Sequence, residues 1–329
     1  MKTSNFGVKI VTIGGGTGHF MLLSGLKNYV KNITALVSMA DNGGSTGALR
    51  DDLGVLPPGD VRQCLVALAQ SPRVRELFNY RFAEGSLSGH SFGNLFLAAL
   101  EKLSGDFRKG VELAGEILRI QGNVEPLTLT NTTLMLDDGK KIWRGESDIE
   151  SAEFNHLRPR LWLEPAATVN PLALDALRAA DLIVLAPGGL YHSLGAALSV
   201  DGLADSLKNS RARKLYICNL INKPGQTDGF SPLDYADELE RMAGCEFLDA
   251  VIYNTRRPSD ALIKRYAREG ETPLAKLPPN FQRHYKMIGA DLLEKRPTTR
   301  QNAADKLTRT LIRHDSDLVA RQIMKLYFD

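Results

Sequence analysis

Residues 8–20, VKIVTIGGGTGHF, decide the fold. Val8 to Ile13 is a short β-branched run that ends on three glycines, the pattern of a buried parallel strand feeding a loop. Beyond His19, apolar side chains fall at Phe20, Leu22, Leu23 and Leu26, which is helical spacing. Residues 33–39, ITALVSM, read as a second strand. The stretch is therefore one βαβ unit, and its next loop, Asp41–Gly47, is again rich in glycine. A right-handed crossover brings both loops to the same sheet edge.

Working outward, helices are expected near 60–70, 73–81, 92–103 and 107–120. The texture then changes. LTLTNTTLMLDDGKKIWRGES carries alternating threonines and a DDGK turn, and predicts an antiparallel hairpin over 127–145. It is read as part of a β-rich insertion near 125–165. The α/β rhythm resumes with a helix at 171–180, the strand DLIVLA at 181–186 and a helix near 199–209. The strand KLYICNL at 214–220, a helix at 233–243 and the strand FLDAVIYN at 247–254 follow. The expected fold is α/β, with a mainly parallel doubly wound sheet and a β-rich insertion. Residues 1–255 form the core, and 256–329 a basic segment packing on it, ending in a helix capped by Asp315 or Ser316.

The 329 residues carry 41 Lys+Arg and 38 Asp+Glu, a net charge of +3 too small to argue for nucleic acid or membrane. The segment from Arg256 holds 16 basic and 9 acidic residues, but no interleaved aromatics, so it reads as a solvated surface. Cys64, Cys218 and Cys245 are too widely spaced for a disulfide framework or a metal knuckle, which points to a reducing cytoplasm. No apolar run is long enough for a membrane span, and no signal-peptide core follows the N-terminus.

Three loops carry the chemistry, because in parallel α/β sheets ligands bind beyond the carboxyl ends of the strands. The first is Gly14, Gly15, Gly16, Thr17 and Gly18. Its backbone N–H groups open a helix and favour an anion. It is neither a P-loop nor a dinucleotide fingerprint, since no Lys-Ser/Thr follows and His19 stands where the third glycine belongs. The second is Asp41, Asn42, Gly43, Gly44, Ser45, Thr46 and Gly47, followed by Arg50. Asp41 is placed to meet a ribose hydroxyl or a metal. The third contains Gly188, Gly189 and Tyr191, with Tyr191 expected to stack on a base or bond a phosphate. Asp60 is read as a helix cap or a site residue, and Arg62 as the cation that neutralises a diphosphate. His90, Asn94 and Asn219 complete the set. Asp41, Asp60 and His90 are the only catalytic candidates, and Asp41 or Asp60 the only metal candidates. No HExxH, Ser-His-Asp or Cys/His cluster is present.

Together these segments resemble one family, the gluconeogenesis factors, relatives of the 2-phospho-L-lactate transferases. The matching stretches are IGGGTG, ADNGGSTGALR, GVLPPGDVRQCLVAL, YRF, GHSFGNLFLAAL, RGES, DLIVLAPGG and CNL…PGQTDG, over about residues 8–255, with the HD at 314–315. The resemblance implies a cytoplasmic protein of three-layer Rossmann-like fold that binds a nucleotide-sugar, typically UDP-N-acetylglucosamine, and links carbon metabolism to cell shape and cell-wall synthesis. For the transferase relatives it implies transfer of a phospholactyl group to a deazaflavin with Mg²⁺. Gly189 and His192 depart from the commoner Ser and Thr, as do Asn222, Lys223, Gln226 and Phe230 from Thr, Gln, Glu and Tyr. The Asn-Gly-Gly-Ser-Thr-Gly after Asp41 matches the gluconeogenesis-factor branch. The reading is thus a regulatory nucleotide-sugar binder, with a phosphoryl-group transferase as the alternative. A homo-oligomer is compatible with both.

Overall fold

The computed structural model describes residues 7–154, 158–294 and 311–328. Seven strands form one sheet: β1 (Lys9–Gly14), β2 (Asn32–Val37), β3 (Asn123–Pro126), β7 (Leu182–Leu185), β8 (Arg213–Ile217), β10 (Ala250–Asn254) and β12 (Lys286–Ala290). Their order is β12-β10-β8-β7-β1-β2-β3, and every neighbouring pair is parallel. The chain therefore winds outward from β1 through β2 to β3. It then returns to β7, beside β1, and winds outward the other way. That reversal between β1 and β7 is a topological switch point, where open α/β sheets bind ligands.

The strands read as nearly continuous apolar runs because both faces are covered. Alternate residues enter two separate cores. Ile10, Ala35, Val184, Leu215 and Ile252 face one side. They meet α1 (Gly16–Leu26), α3 (Gly59–Leu68), α5 (Phe92–Ser104), α6 (Phe107–Leu118) and the helix Ser316–Phe328. Val11, Leu36, Ile183, Tyr216 and Val251 face the other side. They meet the helices Pro171–Ala179, Leu203–Asn209 and Pro232–Ala243 together with the insertion. Two further helices, α2 (Gly44–Leu53) and α4 (Pro72–Asn79), lie in the connection from β2 to β3.

The insertion is a three-stranded antiparallel sheet, β5 (Ile142–Arg144), β4 (Thr133–Asp137) and β6 (Arg160–Glu164), with the short helix α7 (Glu146–Ser151). It starts later than expected, because Asn123–Pro126 pairs with β2 and belongs to the main sheet. The other boundary shifts too. The segment after Arg256 is not merely packed on the core, since its β12 adds a strand to the sheet beside β10. Ile221–Asn222 (β9) and Thr272–Pro273 (β11) form a two-residue antiparallel ribbon that also ties this segment to the core. Asp315 Oδ1 accepts from the N–H groups of Asp317 and Leu318, so Asp315 is the cap of the last helix. Residues 295–310 of the basic segment and 155–157 of the insertion lie outside the described residues. Among the described residues, no helix is long and apolar enough to cross a membrane.

Candidate functional site

The loops after β1 and β7 meet at the switch point. A Cβ on Gly18 would overlap the carbonyl oxygen of Pro187, and one on Gly14 would lie 2.9 Å from the Ala186 methyl. The loop after β2 leaves the same edge, and the Ser38 N–H donates to the Gly14 carbonyl at 3.0 Å. Glycine is required here for close approach of backbones. Gly16 differs: its neighbourhood is open, but its φ of +61° is one that other residues adopt with strain. Thr17, beside it, is exposed.

Beneath these loops lies a pair of carboxylates. Asp60 is 8% exposed and sits in the first turn of α3, where Pro58 rather than Asp60 is the N-cap. A Cβ on Gly15 would overlap its Oδ2, so the carboxylate lies against the first glycine loop. Burial and the facing charge of Asp41 push the Asp60 carboxyl up to about 7. Asp41 is also raised by burial, although it accepts from the Gly43 N–H at 2.9 Å. Gly59 is wedged between these groups, because a Cβ there would overlap both Asp41 and the Thr46 hydroxyl. Glu146 of α7 faces the same cluster, and its carboxyl is raised by burial and by the charges of Asp60 and Asp41. Glu146 belongs to the RGES stretch, but no site role for it is legible there. It is a surface-type residue after a turn glycine, and only the placement of the insertion brings it here.

Arg62, two residues along α3 from Asp60, supplies the opposing charge. It is 8% exposed, and its Nε and Nη1 donate to Asn94 Oδ1 at 2.9 Å and Asn79 Oδ1 at 2.5 Å. Asn94 in turn donates to Ser45 Oγ at 3.2 Å, and Ser45 Oγ lies 3.1 Å from His90 Nδ1. The structure thus joins Arg62, Asn94, Ser45 and His90 into one polar chain, with Asn79 an unforeseen member. Gly93 makes room for the Arg62 stem, which a Cβ at that position would strike at 2.6 Å.

The helix α7 bridges the two sides of the crevice. Asn42 Oδ1 accepts from the Ser147 N–H at its start, at 2.9 Å. At its end, Gln226 Nε2 donates to the carbonyls of Ile149, Glu150 and Ala152. Arg50 donates to Thr133 Oγ1 at 3.0 Å and ties α2 to β4. Asn42 and Arg50 therefore hold the insertion against the second loop. Asn219 exchanges two hydrogen bonds with the Gly188 backbone, at 3.0 and 2.8 Å, and shapes the third loop from the end of β8.

Two expectations for the third loop change. Tyr191 is 1% exposed and packs edge-on against Phe154, with ring centroids 4.9 Å apart. The π-helical turn Leu190–Gly195 winds it into the core, so it is not available to stack on a base. The position Gly189 leaves vacant is filled instead by the His192 ring, which any Cβ there would overlap. His192 Nδ1 is buried without a partner, and burial holds the imidazole down to about 4. His19, the residue in place of a third glycine, is an internal strut. Its Nε2 lies 2.7 Å from Thr12 Oγ1, and burial lowers it to about 4.

The raised carboxyl of Asp60 has a measurable consequence. A folded-state value above the ordinary 3.8 means the ionised form is penalised by folding, so the penalty is full above about pH 7 and absent below about pH 3.8. Asp60→Asn is expected to raise the melting temperature most at pH 8, with the gain shrinking as pH falls through 7. Paired melts of variant and wild type check this, because the buried histidines contribute equally to both. A gain that grows on acidification would contradict it.

The family model for 2-phospho-L-lactate transferase CofD matches residues 10–293. A gluconeogenesis factor of Bacillus subtilis is 36% identical over 325 residues, covering 97% of this chain and 98% of that protein. One from Halalkalibacterium halodurans is 41% identical over 280 residues, covering 83% of this chain and 84% of that protein. A relative from Nostoc sp. is 43% identical over 274 residues, and the matched region spans only 59% of its length. The crystal structure of a UPF0052 family member from Bacillus halodurans superimposes with a TM-score of 0.84 at 34% identity, covering 96% of this chain and 98% of that one. Matched along nearly its whole sheet by one family model, and end to end by the Bacillus subtilis relative, the chain belongs to the CofD (UPF0052) family, alongside the gluconeogenesis factors.

Proposed function

We propose that the crevice between β1 and β7 binds a nucleotide-sugar of the UDP-N-acetylglucosamine type and releases it unchanged. In this reading the protein is a regulatory factor linking carbon metabolism to cell shape and cell-wall synthesis. One observation carries the proposal: two glycine loops are pressed together at the switch point, with the N-terminus of α1 opening on the same crevice. A diphosphate is the anion suited to such a place. The base and sugar would extend toward the second loop on one side and toward Asn219 and His192 on the other.

The candidates for chemistry are already engaged. His90 is bonded to Ser45 and Asp41 to Gly43, while Asp60 is packed against Gly15. A cradle that binds ground and transition states equally does not lower a barrier. Mg²⁺ is usually held by one or two carboxylates together with substrate phosphates. Asp41 and Asp60, whose charges oppose one another, suit that role. Among the described residues no group of three or more His, Cys, Asp or Glu could hold a metal by itself, so the cation would arrive with the ligand.

The transferase reading keeps one specific support. A carboxyl held near neutrality beside an ionised partner is how a general base is tuned. One experiment separates the two: calorimetric titration and thermal shift with UDP-N-acetylglucosamine, then overnight incubation with Mg²⁺ and chromatography of the nucleotide. Binding heat, a raised melting temperature and an intact nucleotide are expected. Absence of heat and shift at millimolar ligand would reject the nucleotide-sugar. Release of UDP or UMP, lost in Asp41→Asn, would reject the non-catalytic role.

A further inference from the structure

Helix α6 has two contrasting sides. Phe107, Val111, Ala114 and Leu118 recur every three or four residues and are buried in the core that α5 and α3 share. The other side holds Lys109, Glu112, Leu113, Glu116 and Ile117, all exposed. Two of these are large and apolar: Leu113 is 36% exposed and Ile117 52%. Beside Ile117 lies a hollow of about 400 Å³, bounded by Gln70, Ser71, Val74, Ile117, Leu118 and Arg119. Its other wall is α4, where Leu77, one turn on from Val74, is also exposed. Gln70 and Ser71 follow the C-terminal end of α3, whereas Asp60 stands in its first turn. The face is therefore at the opposite end of α3 from the crevice. Single apolar residues on a surface are ordinary, but a ridge beside a hollow is the shape of a contact.

We infer that this face is the contact between two copies of the chain, with α6 packed antiparallel on α6 of the second copy. The charges decide the occupant. Lys109 and Glu116 are seven residues apart, two helical turns, so they stand on the same side of α6. A twofold axis passing between Glu112 and Leu113 sets each Lys109 beside the partner's Glu116. The same axis brings the two Leu113 side chains together. Two symmetric ion pairs then flank an apolar centre, and Ile117 lies over the aliphatic stem of the partner's Lys109. Glu112 is not left against a like charge, because Arg108 of its own helix holds it at 3.0 Å. The stripe is thus its own complement, which only a second copy requires. With 12 residues α6 is about 18 Å long, so the contact is short. Interfaces below about 1,200 Å² are weak, and the dimer is therefore concentration-dependent. The inference is independent of what the crevice binds.

Sedimentation equilibrium of the full chain tests it. Wild type is expected to be a monomer at about 1 µM and largely a dimer at about 200 µM. Ile117→Glu is expected to weaken the dimer by about tenfold or more. Lys109→Glu should do the same, because it sets two pairs of like charges across the axis. Combining Lys109→Glu with Glu116→Lys recreates both ion pairs, and should return the dimer to within about threefold of wild type. All the substitutions are at exposed positions, and melting curves verify that each variant is folded. A wild type still monomeric at about 200 µM would overturn the inference and leave the face to a different protein. A dimer that Ile117→Glu leaves intact would overturn it too, by placing the contact elsewhere. So would a swap variant no tighter than Lys109→Glu alone, since the two residues would then not meet across a twofold axis.

Discussion

Replacing Arg62 with Met is expected to destabilise the protein by about 3–5 kcal/mol at pH 8, the cost of leaving buried charges uncompensated. Met matches the length of the Arg stem, which packs against Gly93, so the loss is of charge and hydrogen bonds rather than of volume. Arg62 is the cation that lowers both Asp41 and Asp60 against burial. Its removal also strips Asn94 and Asn79 of their donor and frees the Ser45–His90 end of the chain. The loss should shrink at pH 5, where the carboxyl of Asp60 is protonated in the fold. Asp60→Asn in the same chain should restore part of it, because the two changes share one network. Urea unfolding of the four proteins at both pH values checks this. A loss under about 1 kcal/mol at pH 8, on the scale of an exposed ion pair, would show that Arg62 does not balance the carboxylates.

The second large effect is steric. Gly18→Ala places a methyl group where the Pro187 carbonyl oxygen stands. The obstacle is backbone from a neighbouring strand end, so no rotamer relieves it, and the two loops must separate. A cost near the top of the overpacking range, about 3 kcal/mol, is expected. At about 2 °C per kcal/mol for a chain of this size, the melting temperature should fall by about 6 °C. Affinity for the nucleotide-sugar should fall with it, because the donors of the first loop move away from those of the third. Thr17→Ala, at an exposed side chain one residue earlier, is the control and should leave the melting temperature unchanged. Equal melting temperatures for the two variants would mean that the loops are not in contact.

The strands at the centre of the sheet were legible because they are apolar on both faces. VKIVTI, ITALV and LIVL announce burial, and the glycines that follow announce close approach. The outer strands were not. Asn123–Pro126 and Lys286–Ala290 contain Glu, Pro, Lys and Gly, and their extended form comes from pairing with β2 and β10 rather than from their own residues. For the same reason the domain boundaries drawn from composition cut through the sheet. Within the site, residues near the glycine loops were found by position: Asp41, Asp60, Arg62, Ser45 and Asn94 do converge. Tyr191 misled because an aromatic in a polar loop looks exposed, whereas the π-helical turn buries it. Glu146 and Gln226 stand in the stretches RGES and PGQTDG, but their roles, like that of Asn79, arise from contacts 17 to 77 residues away in sequence or from a charge cluster assembled by the insertion, and nothing local signals them.

The central claim is that the switch-point crevice holds the diphosphate of a nucleotide-sugar. A crystal structure of the protein with UDP-N-acetylglucosamine and Mg²⁺ tests it most directly. The account predicts density for the diphosphate between Gly16–Gly18 and Pro187–Gly189, with the cation shared by phosphate oxygens and the Asp41–Asp60 pair. Diphosphate density elsewhere on the molecule, with the crevice filled only by solvent, would contradict it.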